Sequence, residues 1–253
     1  MAGHSKWANI KHKKGAADKK KGKLFSKITK EIMVAARNGG GDSDANPRLR
    51  AALAAAKSAN MPNANVERAI KKGTGELEGE MLEEISYEGY GAGGVAFLVE
   101  CMTDNRNRTA SEIRMTFDRN NGNLAGSGAV TWMFHRKAQF IIEGADADEE
   151  KLMELLIDAG LESIDVHEQI AEVIAPPDAF DDIAAALEKA GIPVVESGII
   201  MHPENTSKVD DVHIVVQVLR LVDKLEDLDD VQSVYTNVEA SDDIMKEASE
   251  ALQ

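Results

Sequence analysis

Within the first 27 residues, MAGHSKWANIKHKKGAADKKKGKLFSK, there are nine lysines against a single acidic residue, Asp18. Lys6, Lys11, Lys13, Lys14, Lys19, Lys20, Lys21, Lys23 and Lys27 set ammonium groups along a stretch with few apolar residues, the pattern that neutralises a phosphate backbone. Trp7, between Lys6 and Lys11, adds a ring on which a base can stack. Arg48, Arg50, Arg68, Lys71 and Lys72 carry the positive charge further along the chain. Lysine is a point charge without a planar fork, so this composition predicts affinity for nucleic acid more readily than discrimination between bases.

A second group lies in TDNRNRTASEIR, where a loop leaves an apolar run and enters a helix. Arg106 and Arg108 there could meet an anion at the helix N-terminus, or could pair with acidic residues nearby.

Other chemistry finds little support. Gly89, Gly91 and Gly94 match G-x-G-x-x-G, but a dinucleotide fingerprint follows a strand and opens a helix, whereas these glycines run into the strand-like VAFLVEC. A tight turn between paired strands is the expected reading. The six histidines, His4, His12, His135, His167, His202 and His213, show no metal-ligand spacing, and Cys101 stands alone in an apolar run as a buried reduced thiol. No metal, cofactor or catalytic residue is therefore expected. No run of about 18 apolar residues exists to span a bilayer, and lysines interrupt the start where a secretory signal would be apolar, so a cytoplasmic protein without membrane contact is expected.

The net charge of −15 conceals a division. Residues 1–72 hold 17 Lys and Arg against 5 Asp and Glu, a balance of +12, and residues 73–253 hold 12 against 39, a balance of −27. A basic part that meets a polyanion and an acidic remainder that repels non-specific contact account for this asymmetry.

The elements that must position these groups follow from periodicity. LFSKITKEIMVAARNGGG places Leu24, Phe25, Ile28, Ile32, Ala35 and Ala36 at helical spacing up to Gly39. Asn46 before Pro47 is an N-cap followed by the helical position that suits proline, which opens RLRAALAAAKSAN. Asn63 is placed to cap a third helix ending at Gly73. After GTGELEGE the period becomes extended in ISYEGYG and VAFLVECM, and Thr109 with Glu112 forms a capping box for the next helix. From Ala138, AQFIIE, DEEKLMELLIDAG, ESIDVH, QIAEVIA, PDAFDDIAAALEKAG and PVVESGIIM read as βαββαβ, the ferredoxin-like order with both helices on one face. The helix in VDDVHIVVQVLRLVDKLEDL and the strand in VQSVYTNVE lack partners of their own and would complete the sheet begun at residues 84–101. The expected fold is α+β with three domains: 1–77, a basic tail and helical bundle; 78–134 with 204–240, a discontinuous α+β domain; and 135–203, the ferredoxin-like domain inserted into it, before an acidic tail at 241–253.

MAGHSKWANIKHKK, NPRLRAALAAAKSANMPNANVERAIKKGTGE, YEGYGAGGVAFLVECMTDNRNRT and LEDLDDVQSVYTNVE together resemble the YebC family of probable transcriptional regulators, related to the mitochondrial translational activator of cytochrome c oxidase. The resemblance runs through nearly the whole chain. It implies the same three domains and a nucleic-acid function, labelled transcriptional in most members, while the translational relative points to ribosomal RNA. The expectation is a non-enzymatic nucleic-acid-binding regulator of gene expression that acts as a ribosome-associated translation factor, with ribosomal RNA as partner and ribosomal proteins meeting the acidic domains. A DNA-binding transcriptional regulator is the alternative. A small-molecule sensor or enzyme using an inter-domain cleft, with Arg106 and Arg108 as anion clamps, is the alternative of another class.

Overall fold

The computed structural model describes residues 17–79, 81–167 and 169–252, with side chains from residue 21 onward. The N-terminal unit contains α1 (Ala17–Gly39), α2 (Pro47–Ser58) and α3 (Asn63–Thr74). Ile28, Ile32, Met33 and Ala36 of α1 pack with Leu49, Ala52 and Ala56 of α2 and Ala69 of α3, so the apolar stripe read from the sequence becomes one small core. Asn46 caps α2 by accepting from the Leu49 amide at 3.1 Å, and its own amide donates to the Ala35 carbonyl at 2.8 Å and the Gly40 carbonyl at 2.9 Å. One side chain thus starts α2 and fixes its angle to the end of α1.

α1 ends at Gly39, as the spacing indicates, and Gly40 takes the left-handed conformation. Two local expectations differ. Asn63 is the first residue of α3 rather than its cap; Pro62 precedes it and supplies no side-chain acceptor. Gly73 lies inside α3 and does not end it. A Cβ there would stand 2.5 Å from the Met33 carbonyl and 2.8 Å from the Ala36 methyl, so the glycine exists for close approach of α3 to α1, and Gly75 takes the terminal left-handed position.

The central unit is built on the sheet β3-β1-β2-β9, formed by β1 (Glu83–Tyr90), β2 (Ala96–Thr103), β3 (Asn123–Leu124) and β9 (Val231–Thr236), all antiparallel. β2 lies between two partners and is buried along nearly its whole length, which explains its continuous apolar sequence. Alternation divides its side chains. Phe97, Val99 and Cys101 face α4 (Arg106–Arg119), α7 (Val212–Glu226) and α8 (Asp242–Ala251), sharing a core with Ile113, Phe117 and Leu221. On the opposite face Met102 joins the core of the N-terminal helices, and Ala96 and Leu98 pack with Val130, Met133 and Phe134. The glycines at 89, 91 and 94 form the β1–β2 hairpin, where a Cβ on Gly91 would meet the Phe97 ring at 2.5 Å. No phosphate loop is made.

The chain leaves this sheet after β3 and enters β4 (Phe134–Glu143), α5 (Glu149–Leu156), β5 (Ser163–His167), β6 (Ile170–Ala175), α6 (Phe180–Ala190) and β7 (Val194–Pro203). Their order β5-β6-β4-β7, antiparallel throughout, is the ferredoxin-like arrangement. Leu152, Leu156, Ile183 and Leu187 cover Phe140, Ile142 and Val173 on one face. After β8 (Ser207–Lys208), paired in parallel with β10 (Val238–Glu239), α7 leads to β9, which pairs with β2 across the inserted segment.

Two further expectations are corrected. α4 starts at Arg106, capped by Asn105, whose side chain accepts from the Arg108 amide at 3.1 Å; Thr109 is buried and bonded elsewhere, so there is no Thr109–Glu112 capping box. Residues 242–251 form α8, capped by Ser241 and burying Met245 and Ala248 in the helical layer, rather than an acidic tail. Acidic residues had masked the i, i+3 apolar spacing of Met245 and Ala248.

Gly73→Ala is expected to lower stability by about 1–3 kcal/mol through overpacking against backbone, measured as a lower melting temperature in calorimetry. An unchanged melting temperature would contradict the close approach of α3 to α1.

Candidate nucleic-acid interface

Lys6, Trp7, Lys11, Lys13 and Lys14 lie outside the described residues, and Lys19 and Lys20 belong to α1 without described side chains. From Lys21 onward the structure sorts the basic groups into two sets. Lys23, Lys27 and Lys30 stand at i, i+4 and i+7 on one face of α1, and that face docks on the acidic turn between α7 and β9. Lys23 Nζ donates to the Asp227 carboxylate at 2.7 Å and its carbonyl at 2.8 Å, and Lys27 Nζ donates to the Gln232 carbonyl at 3.0 Å. Lys30 Nζ reaches Asp230 Oδ1 at 2.8 Å and the carbonyls of Asp229 at 2.9 Å and Met102 at 3.1 Å.

Asp230 is 5% exposed and is shared by two units. Its Oδ2 accepts from Arg108 Nη2 at 2.7 Å, Thr109 Oγ1 at 2.7 Å and Thr103 Oγ1 at 3.1 Å. Burial alone would raise its pKa, but the hydrogen bonds from Arg108, Lys30 and Thr109 outweigh it and hold the carboxyl well below the usual range. An isolated buried carboxylate would be costly; here two cations and two hydroxyls satisfy it.

Several of the basic groups expected to meet phosphate have partners within the protein. Lys23 and Lys27 are engaged by their own chain. Arg48 donates Nε to Glu31 at 2.7 Å and Nη2 to Glu84 at 2.6 Å, fastening α2 to α1 and to β1, and both carboxylates push its already high pKa further up. Arg50 holds the carbonyls of Ser43 at 3.2 Å and Asp44 at 3.0 Å. Arg108 binds Asp104 at 2.8 Å as well as Asp230, and Arg106 Nε lies 3.7 Å from Glu83, which is the pairing with nearby acidic residues that stood beside the anion site in the sequence. Lys30, which carries the docking, was not singled out. Its signal was the i+7 spacing from Lys23 and a complementary LEDLDD far along the chain.

The second set is different. Arg68 and Lys71 are exposed and Lys72 half-buried at i, i+3 and i+4 on α3, and none makes an ion pair among the described residues. Lys57 is exposed near the end of α2, and Lys21 lies 5.8 Å from the centre of the Phe25 ring. Lysines in a last helical turn favour the helix dipole, yet Arg68 is earlier in α3 and has no such role.

A feature with no periodic signal lies in the loop 125–133. Buried Glu88 accepts from the amides of Gly128 at 2.7 Å, Val130 at 2.6 Å and Thr131 at 2.8 Å. Burial would push its pKa up, but these donors hold it below the ordinary value. Tyr90 Oη and Trp132 Nε1 both donate to the Ala129 carbonyl, at 3.1 and 3.2 Å, and the Trp132 side chain remains exposed. Among the described residues no His, Cys, Asp and Glu grouping could hold a metal ion. Cys101 is buried, which pushes its thiol up to about 12 and leaves it protonated at neutral pH.

Asp230→Asn is expected to cost about 3 kcal/mol at neutral pH, because Lys30 and Arg108 lose a buried counter-charge. The depressed pKa fixes the sign with pH: the contribution is complete above about pH 5 and is lost as pH falls below about 4, where the unfolded carboxyl is protonated first. Urea unfolding from pH 7 to pH 3 should give a flatter profile for the variant than for the wild type, and parallel profiles would contradict the assignment.

Comparison with known proteins places this geometry in a family. The model described as the TACO1/YebC protein N-terminal domain matches residues 5–76, and the one for the TACO1/YebC second and third domain matches residues 82–238. A probable transcriptional regulatory protein from Syntrophobacter fumaroxidans is 54% identical over 245 residues, covering 97% of this chain and 98% of that protein. One from Halothermothrix orenii is 52% identical over 252 residues, covering 99% of this chain and all of its own length, 100%. The crystal structure of a conserved hypothetical protein from Aquifex aeolicus superposes with a TM-score of 0.82 at 45% identity, over 90% of this chain and 94% of that one. No described helix is long and apolar enough to cross a membrane. The relatives carry regulatory rather than enzymatic names, and the chain belongs to the TACO1/YebC family.

Proposed function

We propose that the protein is a non-enzymatic nucleic-acid-binding regulator that engages ribosomal RNA and acts in translation. The observation that carries this reading is the sorting of basic groups. Lys23, Lys27, Lys30, Arg48 and Arg108 are paired with carboxylates and carbonyls of their own chain, whereas Arg68, Lys71 and Lys72 present positive charge on α3 without an ion-pair partner among the described residues. Lys6, Trp7, Lys11, Lys13, Lys14, Lys19, Lys20 and Lys21 belong to the same basic part of the chain. A polyanion is the partner that such a surface fits.

RNA in a ribonucleoprotein suits the remainder of the molecule better than naked duplex. Residues 73–253 carry −27, a charge that duplex DNA repels and that basic protein surfaces on a ribosome attract. The names of the relatives favour a second reading, a DNA-binding regulator of transcription.

If about seven basic side chains meet phosphates, log affinity should fall against log salt with a slope of about −5 to −6. A slope near zero would remove the nucleic-acid reading. To separate RNA from DNA, lysate is fractionated on a density gradient with and without RNase, and bound nucleic acid is crosslinked and sequenced. Crosslinks to ribosomal RNA that disappear when Lys11, Lys13, Lys14, Lys19, Lys20 and Lys21 are replaced by glutamate are expected. Discrete promoter DNA without ribosomal RNA or co-sedimentation with ribosomes would contradict translation.

A further inference from the structure

The loop 125–133 devotes a buried carboxylate to presenting an aromatic ring. Glu88 is 4% exposed, and its two oxygens bind three donors of the loop, the amides of Gly128, Val130 and Thr131. Glu88 also holds the near end through its carbonyl, which accepts from the Ala125 amide at 2.7 Å. Tyr90, from the same strand, reaches the Ala129 carbonyl. The glycines at 126 and 128 would otherwise leave this segment many conformations, and these bonds hold it in one. At its end a 3-10 turn over Thr131–Met133 directs Met133 into the core and leaves Trp132 61% exposed.

The chemistry of that indole is specific. Its N–H is already spent on the Ala129 carbonyl, so the group left for a partner is the ring face, not a hydrogen-bond donor. Tyr90, 37% exposed, is bound to the same carbonyl, which brings a second ring to the loop. Arg136 follows within four residues and is exposed, while His135 beside it pairs with Glu204 at 3.1 Å. A flat π face, held rigid and with a guanidinium close by in the chain, is the arrangement on which an unpaired base stacks.

We propose that Trp132 is a stacking platform for an unpaired nucleobase, a contact separate from the lysines of the N-terminal unit. This rests on the nucleic-acid reading above and adds to it a preference for single-stranded over duplex segments. Glu88 is the positioning residue, acting through the loop it fastens.

The chain has two tryptophans, so Trp7→Phe leaves Trp132 as the sole indole. Titrating that protein with a twelve-nucleotide oligoadenylate is expected to quench its emission, whereas an abasic phosphodiester of the same length should not. In otherwise wild-type protein, Trp132→Ala should weaken oligoadenylate binding about tenfold without changing the salt slope, since the stacking is removed while the phosphates stay bound. Trp132→Phe should recover most of the affinity. Equal quenching by the abasic chain, or unchanged affinity of Trp132→Ala while the wild type binds with a steep salt slope, would overturn this inference alone. Failure of wild-type protein to bind either oligomer would overturn it together with the nucleic-acid reading. Loss of co-sedimentation with ribosomes in Trp132→Ala at unchanged oligoadenylate affinity would assign the ring to a protein contact and would likewise overturn it.

Discussion

Asp230 accepts hydrogen bonds from Lys30, Arg108, Thr109 and Thr103, which lie on α1, on α4 and at the end of β2. Helical unit and central sheet meet at this carboxylate, beside the Met102 packing and the Arg48–Glu84 pair that also join them. The same turn receives Lys23 and Lys27, and Lys30 bridges back to the Met102 carbonyl, so the orientation of α1 against the sheet depends on the set being made together. Opposite charge alone would give little at an exposed site. Burial of Asp230 with partners from several elements makes the interaction geometric, because loss of the carboxylate strips Lys30 and Arg108 of their shared counter-charge and leaves two hydroxyls without this acceptor.

This lock changes the meaning of the charge division in the chain. A balance of +12 facing −27 reads first as a basic arm kept apart from an acidic body. In the folded protein the acidic turn instead holds one face of α1, and Arg48 links Glu31 to Glu84 at the same boundary. Part of the lysine content is thus an internal adhesive. The acidic unit leaves other basic groups uncovered, among them Arg68 and Lys71, exposed on α3.

The fold was legible because its signals are local. The Asn46–Pro47 start, the apolar run of β2 and each element of the βαββαβ order follow from spacing within about 15 residues, and each appears in the structure. The failures came where a distant partner decided. Gly73 looked like a helix stop, but the backbone at Met33 required the missing Cβ. Thr109 looked like a cap until Asp230, 121 positions away, claimed its hydroxyl. Lys23 and Lys27 looked like phosphate contacts, and their partners lie 204 and 205 positions away. Trp132 gave no periodic signal, since its exposure is set by the anchoring of its loop to Glu88.

The central claim is that the basic groups have two separate duties, docking and binding. It is tested most directly by measuring melting temperature and the salt dependence of RNA affinity for two variants side by side. Lys30→Gln is expected to lower the melting temperature and leave the salt slope unchanged. The triple variant Arg68→Gln, Lys71→Gln, Lys72→Gln is expected to keep the melting temperature and to reduce the magnitude of the slope by about 2 to 3, close to one for each phosphate no longer neutralised. Equal flattening of the slope by both variants, or a triple variant that melts early and binds RNA as the wild type does, would contradict the account.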